Sequence, residues 1–187
     1  MKKALLLLSL ISSAVLAQES VDLASTQLNA NILPLTLSFE GKVGDNQSIT
    51  LAGGLGFAVH YSSDNFREAE TSFVTIPVVY SSFRNYYKRK RVKKSDLRSN
   101  SGNYFGLFAL YQFEPLGDPN NLIEAVAYFE TRNVYAIGPV WGIQRNYASG
   151  LHLGLSLGFG VIGGENIQTG VSGVGEFELG FILFSNK

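Results

Sequence analysis

Between Ser48 and Tyr61 almost every second residue is large and apolar: Ile49, Leu51, Leu55, Phe57, Val59 and Tyr61, interrupted only by Gly53. The residues between them, Ser48, Thr50, Ala52, Gly54, Gly56, Ala58 and His60, are small or polar. A two-residue period belongs to an extended strand with two chemically different faces. The pattern recurs where Leu151, Leu153, Leu155, Leu157, Phe159 and Val161 oppose His152, Gly154, Ser156, Gly158 and Gly160. It recurs again where Leu33, Leu35, Leu37 and Phe39 oppose Pro34, Thr36, Ser38 and Glu40, and where Phe177, Leu179, Phe181 and Leu183 oppose Glu176, Glu178 and Gly180. A chain built this way must pair its strands into a sheet, and closing the sheet on itself removes the exposed edges.

Three further strands are less regular. Over residues 73–87, Val74, Ile76, Val78 and Tyr80 share a phase with Ser82 and Arg84, which predicts a bulge that switches faces midway. Residues 104–114 alternate weakly, and residues 128–144 set Phe129, Tyr135, Ile137, Trp141 and Ile143 against Glu130, Arg132, Ala136, Gly138, Gly142 and Gln144. Asp118-Pro119 followed by Leu122, Ile123, Val126 and Phe129 also reads as a helix start, so a helical turn over 118–128 competes with the end of that loop. An even strand count brings both termini to one end, and Ser20 to Leu28 supplies the eighth strand, with Asn29-Ala30-Asn31 as the next turn. The other connections are Gly44-Asp45-Asn46, 62–72, 88–102, 115–124, 145–150 and 162–170.

Lys2 and Lys3 precede an apolar stretch, Ala4 to Leu16, that ends in Val15-Leu16-Ala17, so residues 1–17 read as an export signal cleaved before Gln18, with 18–187 as the mature domain. The apolar run is shorter than the ~20 residues that span a bilayer as a helix, and nothing comparable follows it. A membrane-embedded mature chain must therefore be a closed β-barrel. The absence of cysteine excludes disulfide frameworks, thiolate metal sites and Cys nucleophiles. Fifteen Lys+Arg against fifteen Asp+Glu leave no global attraction to nucleic acid.

Alternation alone does not separate a membrane barrel from a soluble barrel that holds a small apolar ligand inside. The polar phase decides: it is mostly Gly, Ala, Ser and Thr with single Glu, Arg and His, whereas a solvated face carries many Lys, Glu and Asp. That composition suits the narrow lumen of eight strands, in which glycines leave room for a few long side chains. Tyr61, Phe113, Tyr135, Trp141 and Tyr147, near strand ends, suit interfacial aromatic girdles. The expected fold is thus all-β, an eight-stranded antiparallel transmembrane β-barrel with meander topology.

Leu37-Ser38-Phe39-Glu40 before a tight turn, Phe83-Arg84-Asn85-Tyr86-Tyr87, Ile137-Gly138-Pro139-Val140-Trp141-Gly142 and Phe177-Glu178-Leu179-Gly180-Phe181 carry a family resemblance. On these motifs the whole mature chain resembles the small eight-stranded outer-membrane β-barrel proteins of the OmpA-like kind, of an uncharacterised group. It departs from them at Ser82, where similar proteins often have an acidic residue, and in ending Phe184-Ser185-Asn186-Lys187 rather than on an aromatic residue. The resemblance implies residence in the outer membrane of a Gram-negative bacterium, insertion by the barrel assembly machinery, contact with outer-membrane lipids and lipopolysaccharide, and no established activity. It implies neither a cofactor nor a resident metal.

Glu40 and Arg84 lie in polar phases near the same rim, where a low-dielectric lumen favours a hydrogen-bonded pair. Such a pair reads either as a structural plug or as a gate or proton path. Glu130, Arg132, Glu176 and Glu178 extend the same charge network to other strands, because buried charges require partners. Lys88, Arg89, Lys90, Arg91, Lys93 and Lys94 form a basic turn that would face inner-leaflet headgroups, or else is a solvated turn that only anchors orientation. His60, Ser62, Glu68 and Glu70 are the raw material of a lipid hydrolase, against the plainer reading of a rim histidine bonded to hydroxyls. Gly158-Phe159-Gly160-Val161-Ile162-Gly163 spells a dinucleotide fingerprint but continues the two-residue period, with no helix after it to hold phosphates. No catalytic residue is expected.

Overall fold

The computed structural model describes residues 21–62, 70–87, 97–116, 133–165 and 167–187, with the side chains of 57–62, 70–74 and 167 outside the description. Eight strands follow one another: β1 (Thr26–Leu33), β2 (Leu35–Gly44), β3 (Gln47–Ser62), β4 (Glu70–Tyr87), β5 (Gly102–Gln112), β6 (Val134–Asn146), β7 (Leu151–Gly164) and β8 (Ile167–Asn186). Each pairs antiparallel with its neighbour in sequence, and β1 pairs with β8, so the meander closes into a barrel. No helix occurs among the described residues, and none there is long and apolar enough to cross a membrane. The 118–128 segment falls wholly outside the described residues.

The large apolar phase faces outward. Leu35, Leu37, Phe39, Ile49, Leu51, Phe105, Leu107, Tyr135, Ile137, Leu155, Leu157, Phe159, Val161, Phe177 and Phe181 are all exposed. The opposite phase closes on itself: Gln27, Asn29, Asn31, Ser38, Glu40, Ser48, Arg84, Tyr86, Phe108, Gln144, Asn146 and His152 are buried. The interior is filled by side chains, as eight strands require.

Several sequence expectations change. The first strand begins at Thr26 rather than Ser20, and the expected Asn29-Ala30-Asn31 turn is strand. Asn29 and Asn31 are turn formers by propensity, yet here they point inward, where Ser38 and Thr36 receive their amides at 3.2 and 3.1 Å. Val21 and Leu23, whose shared phase suggested a strand, instead bury with Ala24 in the mouth of the ring at the end where β1 begins and β8 ends. Asn46 and Asn100 side chains accept the Val21 and Ala24 backbone N–H groups, at 2.7 and 2.6 Å, and hold this stopper in place. Asn100 adopts φ 59°, a left-handed conformation that asparagine tolerates.

Strand β4 has no bulge. It pairs with β3 in one register from Gln47↔Asn85 to Ser62↔Glu70 and with β5 from Val78↔Gln112 to Tyr87↔Asn103. Ile76 and Tyr80 share the inward face with Ser82 and Arg84 because the lumen is not uniformly polar; Tyr80 stacks on Phe108, ring centroids 6.5 Å apart. Strand β6 is described over Val134–Asn146, two residues beyond the expected end at 144, while 128–132 lie outside the described residues; β8 starts at Ile167, which shortens the expected 162–170 connection. The dinucleotide-like glycines lie on β7, within a strand.

Candidate functional site: a polar network inside the ring

Glu40 on β2 is buried and receives three hydrogen bonds. Ser48 Oγ and Tyr86 Oη donate to Oε1 at 2.6 and 2.8 Å, and Gln144 Nε2 donates to Oε2 at 2.9 Å. Arg84 on β4 is buried too. Its Nη1 donates to Gln144 Oε1 at 2.5 Å and its Nε to Ser82 Oγ at 2.9 Å, while its guanidinium carbon lies 4.7 Å from the Tyr104 ring centroid. The expected Glu40–Arg84 pair is therefore indirect. The Gln144 amide, with a donor at one corner and an acceptor at the other, stands between the charges and satisfies both. Ser82 supplies a neutral acceptor to Arg84.

A second chain of hydrogen bonds runs beside the first. Asn29 accepts from Gln27 Nε2 at 2.9 Å, Gln27 accepts from Asn146 Nδ2 at 3.0 Å, and Asn146 Oδ1 meets His152 Nδ1 at 2.7 Å. The Asn146 amide also donates to the Ser99 carbonyl at 2.8 Å, so its oxygen is the acceptor and His152 Nδ1 carries the hydrogen. The other ring nitrogen faces Glu178 Oε2 at 3.6 Å. His152, which looked isolated in the sequence, is thus a fully enclosed link between the stopper and the β8 carboxylates.

Glu178 lies over Gly154, where an added Cβ would collide with its carboxylate. Glu176, two residues earlier on the same face, pairs in register with Ser156 and is half-buried. Gly142 has a similar role opposite Tyr104: the Tyr104 ring occupies the space in which a Cβ would stand. Tyr104 is in turn the platform for Arg84, so Gly142→Val should push the ring off the guanidinium. The expected loss is about 1–3 kcal/mol of overpacking, read as a lower denaturation midpoint. Tyr104→Ala in the same chain should return part of that loss, and a fully additive double mutant would show that the two residues do not share this space.

Of the charged residues expected in the network, Glu40, Arg84 and Glu178 are brought into one interior, with Glu176 beside them. Glu130 and Arg132 lie outside the described residues, as do Lys88, Arg89, Lys90, Arg91, Lys93 and Lys94. His60 and Ser62 lie at the end of β3 with side chains outside the description; Glu70 pairs with Ser62 on the backbone, and Glu68 is not described. The sequence reading missed Gln144, Asn146, Tyr86, Tyr104 and Ser48; their inward phase was the available signal. No group of three or more His, Asp or Glu side chains among the described residues is placed to hold a metal ion. On the outer surface Trp141 Nε1 donates to Tyr87 Oη at 2.7 Å beside the stacked Tyr87–Phe105 pair, and Tyr111 meets Phe113 edge-on at 4.8 Å towards the other rim.

Compared with known protein families, with curated proteins and with solved structures, the chain matches none of them.

Proposed function

We propose that this protein is an integral outer-membrane β-barrel, similar to the small OmpA-like barrels, that serves a structural or interaction role and is not an open pore. The observation that carries this reading is the outward apolar phase around the ring, set against a lumen of polar side chains. Water would be a poor solvent for such a surface, and contiguous apolar exposure on this scale suits lipid. From Phe105 on β5 to Phe113, one residue past its end, the outward residues cover about 26 Å at ~3.3 Å per residue, or roughly 20 Å of height at a tilt near 40°. That is close to the ~25 Å apolar band of outer-membrane barrels, with aromatic residues at both margins. A soluble barrel holding an apolar ligand needs the reverse distribution.

The filled lumen favours a closed barrel. Arg84, Tyr86, Phe108, His152, Gln144 and Glu40 are among its fully enclosed side chains, and the Val21–Ala24 stopper caps the end where β1 begins and β8 ends. We assign that end to the periplasm, as suits an exported chain inserted by the barrel assembly machinery. The connection from β4 to β5 leaves and re-enters at the same end, so the Lys88–Lys94 run would meet anionic headgroups of the inner leaflet. No catalytic role is proposed.

Membrane fractionation with heat-modifiable gel migration tests the reading. The protein should remain with the sarkosyl-insoluble envelope and run faster unboiled than boiled, and it should give no regular conductance steps in planar bilayers. A soluble, unshifted protein would overturn the membrane assignment; large regular steps would overturn the closed lumen alone.

A further inference from the structure

On the outer face, at the rim where β1 begins and β8 ends, three strands bring a cation and several aromatic side chains together. Arg145 stands one residue before the end of β6, Tyr87 is the last residue of β4, and Asn103 is the second of β5. Tyr87 and Asn103 are direct cross-strand partners, as are Phe105 and Trp141 two residues nearer the middle of the barrel. The Arg145 side chain, only partly buried, donates from Nη2 to Asn103 Oδ1 at 2.8 Å and from Nη1 to the Gln144 carbonyl at 2.7 Å. Both acceptors are neutral. They fix the orientation of the guanidinium without cancelling its charge, and they use two of its five N–H groups. The surroundings carry the same sign: Arg98, exposed four residues before β5, donates to the neutral Ala148 carbonyl at 2.7 Å. The adjoining residues 88–96, outside the described residues, contain six Lys and Arg against one acid, Asp96, and so add net positive charge whatever path they take.

Beside this cation the surface turns apolar. Trp141 Nε1 donates to Tyr87 Oη at 2.7 Å, which leaves the phenol its own proton to donate, and the Tyr87 ring stacks on Phe105 with centroids 5.4 Å apart. Phe105 and Leu107 then continue outward-facing and exposed along β5. A planar guanidinium fork matches two oxygens of a phosphate, and the hydroxyl and aromatic rings next to it suit the level at which a lipid passes from headgroup to hydrocarbon. Free phosphate would have no use for the apolar half. A zwitterionic ethanolamine headgroup brings an ammonium that the neighbouring cations repel, whereas a phosphatidylglycerol headgroup brings none. We infer that Arg145, held by Asn103, forms with Tyr87 and Trp141 a site for one anionic phospholipid of the inner leaflet, its phosphate on the guanidinium and an acyl chain along Phe105 and Leu107. The site rests on the membrane reading above and gives it a particular lipid partner.

Trp141 is the single tryptophan of the chain, so its fluorescence reports on this site alone. With the protein refolded into phosphatidylcholine vesicles, a small fraction of brominated phosphatidylglycerol should quench Trp141 more than the same fraction of brominated phosphatidylcholine. The relative affinity should be about fivefold or more, the equivalent of the ~1 kcal/mol of one cation beside an anionic headgroup. Arg145→Gln should bring the two lipids close to equal, and Arg145→Lys should restore part of the preference. Lys187→Gln, which removes a charge from the same rim at its pair with Asp22, should leave the preference unchanged. Equal quenching by the two lipids in wild type would overturn the site and leave membrane insertion standing, whereas no quenching by either would overturn both. A preference that survives in Arg145→Gln would also overturn the site, by assigning the attraction to the 88–94 run at large. Inorganic phosphate at matched ionic strength should not release the lipid; release would overturn the lipid in favour of a free anion. Should Arg145→Gln fail to show heat-modifiable migration, the wild-type comparison and Arg145→Lys still decide.

Discussion

Arg84→Met should destabilise the folded ring by about 3–5 kcal/mol, the usual consequence of removing one partner from a buried charge network. Methionine fills much of the volume, so the loss reports charge rather than a cavity. Without the guanidinium, Gln144 Oε1 loses its 2.5 Å donor, Tyr104 loses the cation over its ring, and Glu178 loses a nearby positive field. Gln144→Leu should cost less, about 1–3 kcal/mol, since it leaves both charges in place but breaks the amide that joins them. Denaturant unfolding in detergent micelles checks both values. Because the Glu40–Arg84 link runs through Gln144, the Glu40→Gln/Arg84→Met cycle should show clear coupling, and that coupling should collapse in a Gln144→Leu background. A loss below about 1 kcal/mol for Arg84→Met would mean that water reaches the guanidinium and that the interior is wet.

Leu107→Lys should cost about 2–4 kcal/mol if the outer face is in lipid, because Leu107 lies midway along the outward side of β5 and is exposed. In water the same substitution would fall within about 0.5 kcal/mol of neutral. Ser149→Lys, in the exposed turn between β6 and β7, is the matched control and should be silent in either setting. Stability measured after refolding into vesicles separates the cases: equal stabilities for Leu107→Lys and wild type would remove the apolar face as an argument for membrane insertion.

The outward face was legible in the sequence because bulky apolar residues recur every second position, and only a strand converts that period into a face. Glu40, Arg84 and Glu178 were legible for the same reason, as rare charges in a phase of small residues. Their connections were not. Gln144 reaches Glu40 across 104 residues of chain, and neutral amides leave no charge pattern to follow. Asn29 and Asn31 misled because the amide that favours a turn also hydrogen-bonds well inside a ring. Tyr80 and Ile76 misled in the opposite sense. An inward apolar residue looks like a change of face until the lumen is known to hold aromatic side chains as well as polar ones.

Seven of the ladders join strands adjacent in sequence, from the link at Pro34 to the long β4–β5 and β5–β6 connections, and each closes over a far shorter stretch of chain than the eighth. The remaining one unites Thr26 with Asn186, about 160 residues apart, and it carries two register shifts. Its loop-closure entropy exceeds that of any other pairing, and topologies dominated by such distant contacts form slowly. Until that seam shuts, β1 and β8 present raw hydrogen-bonding edges to any neighbouring chain. The lifetime of this open-edged sheet, rather than the pairing of any single hairpin, therefore sets how fast the protein matures and how long it stays exposed to edge-to-edge aggregation.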